Sequence, residues 1–336
     1  MPLPENDRMT DIHRHNYENF EQIIDAFNDK LLHLPFPSEA PALFEPIDYA
    51  LESGGKRLRP TLLLRMAMAC GANIEPAIEY ALGIELFHNF TLLHDDIMDN
   101  ADMRRGRPSV HRRWNNNVAI LSGDAMLTIA TKYMNYISGP VGSNIFNLFT
   151  KTALEIYQGQ QLDMEFEDRD DVSVDEYIEM IRLKTSVLIG CACRIGAMIA
   201  NTSEDACNAA YSFGDNLGLA FQLRDDYLDT FGDPLIFGKQ IGGDIINKKK
   251  TWLLLSALNA GDRVTINEIL NAKTDDNAKV EAIKSIYKEL ELDIKCQQLI
   301  DAYAQRALTA LERMSLSHEH TKFFKSFVSE LSQRQA

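Results

Sequence analysis

Two stretches of this chain, residues 78–99 and 209–231, are apolar on nearly every side, and each carries the motif Asp-Asp-x-x-Asp towards its C-terminal end. A helix of that kind has no face for water and takes a central place in a bundle. Its carboxylates then sit in or beside the core, where an uncompensated charge is costly. The first motif is Asp95, Asp96 and Asp99; the second is Asp225, Asp226 and Asp229. Positions i and i+4 share a helix face, so Asp95 aligns with Asp99 and Asp225 with Asp229. Like charges so placed repel, which argues for a metal ion between them. Hard oxygen ligands suit Mg²⁺, which takes one or two carboxylates and fills its shell with water and substrate phosphate. One such motif usually marks a solvated acidic face. Two, at the ends of core helices, place the acids at the mouth of a cavity whose natural guest is a diphosphate.

The remaining chain reads as all-α. Apolar residues recur at helical spacing over 17–33, 39–52, 60–70, 75–99, 118–137, 143–165, 173–200, 203–231, 249–259, 264–271, 275–292 and 295–313. Glycine and proline cluster in a few turns, at 53–56, 105–108, 138–140 and 232–244. The pattern predicts a single domain over 1–336, a bundle of about ten or more helices around a central cavity, with residues 1–10 frayed.

Net charge is −15, which disfavours nucleic acid or an anionic membrane surface as the main partner. No apolar run reaches the roughly 18 residues of a membrane span. The polar stretch Met1 to Asn16 does not read as a secretory signal, so the cytoplasm is the expected compartment. The five cysteines, Cys70, Cys191, Cys193, Cys207 and Cys296, show no CxxC spacing and read as small buried hydrophobes.

Cations complete the candidate site. Lys56, Arg57 and Arg59 follow the turn Gly54-Gly55, where backbone can approach an anion. Arg104 and Arg105 lie just beyond the first acidic set. Lys184-Thr185 interrupts an apolar helix, where a lone lysine has little reason to stand unless paired. Lys239 lies in a glycine-rich turn, and Lys248, Lys249 and Lys250 follow it. His88 stands two helical turns before Asp95 on the same side, facing the same cavity; His94 reads as structural.

In order and spacing these residues resemble the trans-isoprenyl diphosphate synthases, or polyprenyl synthetases. The resemblance runs through Gly54-Gly55-Lys56-Arg57-Leu58-Arg59-Pro60, Asp95-Asp96-Ile97-Met98-Asp99 and Arg104-Arg105-Gly106-x-Pro108-x-x-His111. It continues through Gly159-Gln160-x-x-Asp163, Lys184-Thr185, Phe221-Gln222-x-x-Asp225-Asp226-x-x-Asp229 and Gly238-Lys239-x-x-Gly242-Gly243-Asp244.

The resemblance implies a type I isoprenoid synthase fold, a homodimer, and condensation of isopentenyl diphosphate with an allylic diphosphate (dimethylallyl, geranyl or farnesyl). It implies about three Mg²⁺ held by Asp95, Asp99 and Asp225, with Asp96, Asp226 and Asp229 in the same acidic set and Gln160 and Asp163 near it. Arg104, Lys184, Lys239 and Lys248 are then expected on the allylic diphosphate, and Lys56, Arg59, His88 and Arg105 on isopentenyl diphosphate. Thr185 and Gln222 are expected beside the allylic cation. Phe90, with Thr91 beside it and Phe87 one turn deeper, is expected to floor the tail pocket about 7.5 Å below Asp95, at ~1.5 Å per residue. That floor favours a C15 or C20 product, with C20 preferred. A long-chain synthase differs only in pocket depth. A terpene cyclase usually carries a different second metal motif, and a non-catalytic partner subunit typically loses one acidic motif.

Overall fold

A computed structural model describes residues 19–233 and 241–332. The fold is all-α, as the apolar spacing predicts. Helices α1 (Phe20–Leu32), α2 (Pro41–Glu52) and α3 (Leu58–Ala69) lead into the long α4 (Ile74–Met98). A small antiparallel hairpin follows, β1 (Met103–Arg104) against β2 (Arg107–Pro108), then the single turn α5 (Val110–Arg113). Next come α6 (Asn116–Met134), α7 (Pro140–Asp168), α8 (Val174–Ile181), a π turn (Arg182–Ser186), α9 (Val187–Ile199) and α10 (Glu204–Phe231). The C-terminal part holds α11 (Gly243–Ile246), α12 (Trp252–Ala260), α13 (Arg263–Asn271), α14 (Asp276–Glu289), α15 (Leu292–Glu312) and α16 (His318–Ser332).

The two motif-bearing helices are central, as expected. Every residue from Ala77 to Phe90 on α4 is buried except Glu79 and His88. The helix packs on α3 and α6, while α10 packs on α9 and α15. Both start at side-chain caps: Asn73 accepts from the Glu75 amide and Ser203 from the Ala206 amide. Between them α9 splits its faces. Ile189, Cys193 and Ala197 join the core around α10; Val187, Cys191 and Ile195 join the core around α4. Cys191, Cys193, Cys207 and Cys296 are buried free thiols, as expected, whereas Cys70 is only half-buried.

Three features depart from the sequence expectation. The expected single helix over 173–200 is broken by the π turn, which falls on Lys184-Thr185. Helical periodicity cannot register this, because one extra residue per turn shifts the pattern without ending it. The hairpin at 103–108 is too short to show alternation. Helix α16 lies beyond the last expected helical stretch, 295–313, although Phe324, Val328 and Leu331 pack into the core at helical spacing. The expected fraying of residues 1–10, and Lys239, lie outside the described residues. Among the described residues no helix is long and apolar enough to cross a membrane.

Candidate active site

The ends of α4 and α10 open on one cavity of about 1040 Å³, lined also by α3, α7, the π turn and α16. Asp95, Asp225, Gln160, Lys184, Thr185, Gln222 and Phe221 line it, and so do Lys56, Arg57, Arg59, His88, Arg104 and Arg105. These cations, with Asp95 and Asp225, are thus brought together from segments that lie far apart in the chain, whereas Asp96, Asp99, Asp163, Asp226 and Asp229 do not line the cavity.

In the first acidic motif, Asp95 faces the cavity. Lys184 Nζ lies 3.3 Å from Asp95 Oδ1 and donates to Asp163 Oδ2 at 2.6 Å. Asp95 Oδ1 is buried and accepts no hydrogen bond among the described residues. Asp96 is 3% exposed and accepts from Arg104 Nε at 2.8 Å. Burial pushes the Asp96 carboxyl up by more than Arg104 pulls it down. Asp99 caps the end of α4 and is exposed as a residue. Its carboxyl still loses hydration and feels Asp95; both push it up, against Lys184 and Lys249.

The second motif spends its acids differently. Asp225 lines the cavity. Asp226 accepts from Gln222 Nε2 at 3.0 Å and from the Tyr177 hydroxyl. Burial first, then the Asp244 charge, drive its carboxyl upward. Asp229 Oδ2 accepts from the Asp244 amide at 2.9 Å, fixing the start of α11.

Lys184 and Thr185 owe their place to the π turn. A Cβ on Gly159 of α7 would strike the Lys184 backbone, and one on Gly218 of α10 would strike Ser186. Glycine at both points lets two helices clamp the turn and present Lys184 and Thr185 to the cavity. Thr185 Oγ1 donates to Gln222 Oε1 at 3.1 Å.

The cationic cup lies towards α3. Arg59 Nη1 is 3.1 Å from His88 Nε2, so the imidazole accepts there. Burial, then Arg59, Arg105, Arg104 and Arg57, hold the His88 pKa well below its ordinary value and keep the ring neutral. Burial also lowers Arg59, to about 10. One buried acid answers this cup: Glu85 accepts from Arg57 at 2.5 Å and from Asn89 Nδ2 at 3.0 Å. Arg105 donates to the Gly54 carbonyl.

An aromatic group lies on the α4 and α7 side. Phe90 lines the cavity and packs on Phe87 (5.6 Å between ring centres), His94 (4.8 Å) and Tyr157 (6.3 Å). Phe87 packs in turn on Phe149 at 5.1 Å. Thr91 lines the same space and donates to the His88 carbonyl at 2.8 Å.

Among the described residues no three carboxylate, imidazole or thiol groups converge on one metal position. Asp95 and Asp225 line one cavity, and Asp95 Oδ1 accepts no hydrogen bond among the described residues; hard carboxylate oxygens so placed fit a cation that completes its shell from water and substrate oxygens.

Residues 40–290 match the polyprenyl synthetase family. The chain belongs to that family. It is 39% identical over 251 residues to the geranylgeranyl diphosphate synthase of Methanosarcina mazei, covering 74% of this chain and 76% of that one. It is 34% identical over 303 residues to the geranylgeranyl diphosphate synthase of Sulfolobus acidocaldarius, covering 88% and 91%. A crystal structure of a geranylgeranyl pyrophosphate synthase is similar with a TM-score of 0.90 and 42% identity, covering 95% of this chain and all of that one.

Within this polyprenyl synthetase, Lys248 departs from its expected place on the allylic diphosphate: it is exposed, donates to Asn271 at 2.6 Å and does not line the cavity. Its neighbour Lys249 is likewise exposed as a residue and does not line the cavity. Loss of hydration at its ammonium lowers its pKa, but the charges of Asp244, Asp163, Asp226 and Asp95 outweigh this and hold it above its ordinary value. Three consecutive lysines offer no signal for which one feels the acids. Glu85 and Arg57 form the ion pair under the cup, and Arg57 was already in view within the basic motif. Phe327, Glu330 and Leu331 of α16 also line the cavity, and their helical spacing was the available signal.

Proposed function

We propose that this cavity condenses isopentenyl diphosphate with allylic diphosphates to give an all-trans C20 prenyl diphosphate and free diphosphate. The observation that carries the reading is the division of one cavity into two anion sites. Two acidic motifs with Lys184 and Arg104 form one; the cup of Lys56, Arg59, His88 and Arg105 forms the other.

Asp95, Asp99 and Asp225 would hold Mg²⁺, about three ions by family resemblance, with Asp96, Asp226 and Asp229 supporting them. Bound Mg²⁺ neutralises the allylic diphosphate and eases its departure. Lys184 and Arg104 add positive charge on the same side. The allylic C–O bond breaks and its electron pair leaves with the diphosphate. The lone pairs of Thr185 and the Gln222 amide face the resulting cation. The cup holds isopentenyl diphosphate so that its double bond attacks the cation and forms the new C–C bond. A proton then leaves the adjacent carbon, most simply to the departed diphosphate, and a new double bond closes. Apolar walls exclude water that would quench the cation.

Phe90, backed by Phe87 and Tyr157, serves as the floor for the growing tail. The names of the related synthases support C20. Ile120 and Leu121 on α6, with Leu154, Tyr157 and Met164 on α7, are exposed apolar residues that suit a homodimer interface. The cytoplasm is the proposed compartment.

The test is a product assay with Mg²⁺, labelled isopentenyl diphosphate and each allylic primer, followed by sizing of the released alcohol. A C20 product, lengthened by at least one C5 unit in Phe90→Ala, is expected. A C30 or longer wild-type product would keep the reaction and remove Phe90 as the floor. No incorporation by folded protein with any primer would sink the reading.

A further inference from the structure

A chain of hydrogen bonds leads from the cavity wall to a tyrosine outside it. Thr185 Oγ1 donates to Gln222 Oε1 at 3.1 Å, and Gln222 Nε2 donates to Asp226 Oδ1 at 3.0 Å. The Tyr177 hydroxyl donates to Asp226 Oδ2. Thr185 and Gln222 line the cavity, while Tyr177 is 1% exposed on α8 and lines none of it.

The bonds run in one direction along the chain. Gln222 Nε2 is the donor to Asp226 Oδ1, so the amide turns its NH₂ towards that carboxyl. That leaves the amide oxygen for Thr185, whose hydroxyl proton is thereby committed to Gln222. The Thr185 lone pairs are then directed away from that bond and remain available to the cavity. Flipping the amide would set its oxygen against a carboxylate oxygen and make the Thr185 hydroxyl an acceptor, with its proton free to point at the substrate. Tyr177 prevents this by engaging the second carboxylate oxygen, which fixes the plane of Asp226.

We propose that Tyr177 is a positioning residue for prenyl transfer: through Asp226 and Gln222 it sets the hydroxyl of Thr185 so that oxygen lone pairs, and not a proton, face the allylic cation. The proposal rests on the prenyl-transfer reading. It assigns Asp226 a task apart from the metal set, and it assigns the catalytic contact to Thr185, not to Tyr177.

Tyr177→Phe removes one hydroxyl and keeps the ring. It should lower kcat about tenfold, the scale of one misdirected hydrogen bond, with both KM values and the Mg²⁺ requirement within about twofold of wild type. The decisive readout is a double-mutant cycle. In Thr185→Val, which has no hydroxyl to orient, Tyr177→Phe should cost nothing more. In Thr185→Ser, which keeps the hydroxyl, the cost should return. An equal cost in the Thr185→Val background would overturn the relay, as would full activity of Tyr177→Phe or a shift confined to the Mg²⁺ requirement. Should Tyr177→Phe fail to fold, Asp226→Asn breaks the same chain outside the cavity wall, and the same cycle with Thr185→Val decides. An inactive wild type would sink the prenyl-transfer reading and the relay with it; an active wild type with an insensitive Tyr177→Phe would sink the relay alone.

Discussion

The two Asp-Asp-x-x-Asp motifs have one sequence pattern and two sets of surroundings. In each, the first Asp lines the cavity. The second Asp is buried in both, yet Asp96 is answered by the Arg104 guanidinium and Asp226 by two neutral donors, Gln222 and Tyr177. The third Asp is exposed at the end of α4 in one case and holds the start of α11 in the other. The contrast extends upstream. Glu85 and Asp215 each stand ten residues before the first Asp of their motif. Glu85 is paired with Arg57 at 2.5 Å, whereas Asp215 Oδ1 is buried and accepts no hydrogen bond among the described residues. The α4 side settles its buried acids with full cations. The α10 side leaves them closer to neutral, as hydrogen-bonded or incompletely paired carboxyls.

The largest effect tests the likeness of the pair. Asp95→Asn and Asp225→Asn should each lower turnover by about a thousandfold or more while the fold survives. Steady-state assays over a range of Mg²⁺ would measure this, and near-normal turnover in either variant would break the equivalence of the two cavity acids.

The next effect tests the difference. Asp96→Asn removes the nearer of two carboxylates paired with Arg104, so it should cost about 2 kcal/mol of stability, less than a fully buried pair because Arg104 is partly exposed and keeps Asp95 at 3.8 Å. Asp226→Asn removes a carboxylate that only neutral groups hydrogen-bond and should stay within about 1 kcal/mol of wild type. Urea unfolding of the two variants side by side would show it; equal costs would mean the two surroundings are energetically alike.

The smallest effect lies at Asp215. Burial, with Glu179 and Glu155 adding to it, overcomes the pull of Arg182 and raises this carboxyl from 3.8 to about 6. Between those values the folded protein binds more protons than the unfolded chain, so stability falls as pH rises through that window. The fall should be about 1–2 kcal/mol, discounted for partial exposure, and Asp215→Asn should remove it. Unfolding midpoints at pH 4, 5, 6 and 7 would measure the slope, and an identical slope in the variant would place the titration elsewhere.

Much of the fold could be read directly. The all-round apolar stretches at 78–99 and 209–231 became the central α4 and α10, because a helix with no polar face has nowhere else to go. The basic motif at 54–60, Arg104, Arg105, Lys184 and His88 all reached the cavity for a related reason. Polar groups set in apolar segments must find partners or face a polar space.

Three kinds of information were decided only in three dimensions. The π turn at Arg182–Ser186 depends on two glycines, Gly159 and Gly218, from helices distant in sequence, and periodicity cannot see a clamp. The turn of Lys248 away from the cavity depends on Asn271, 23 residues further along the chain. The partner of each buried acid, Arg104, Tyr177 or Arg57, was set by packing. The sequence by itself determined where charge would be trapped in the core, because burial follows from a helix's own apolar pattern. Only the tertiary structure decided what answers each charge, because a hydrogen bond is settled within about 3 Å by groups that the chain order does not bring together.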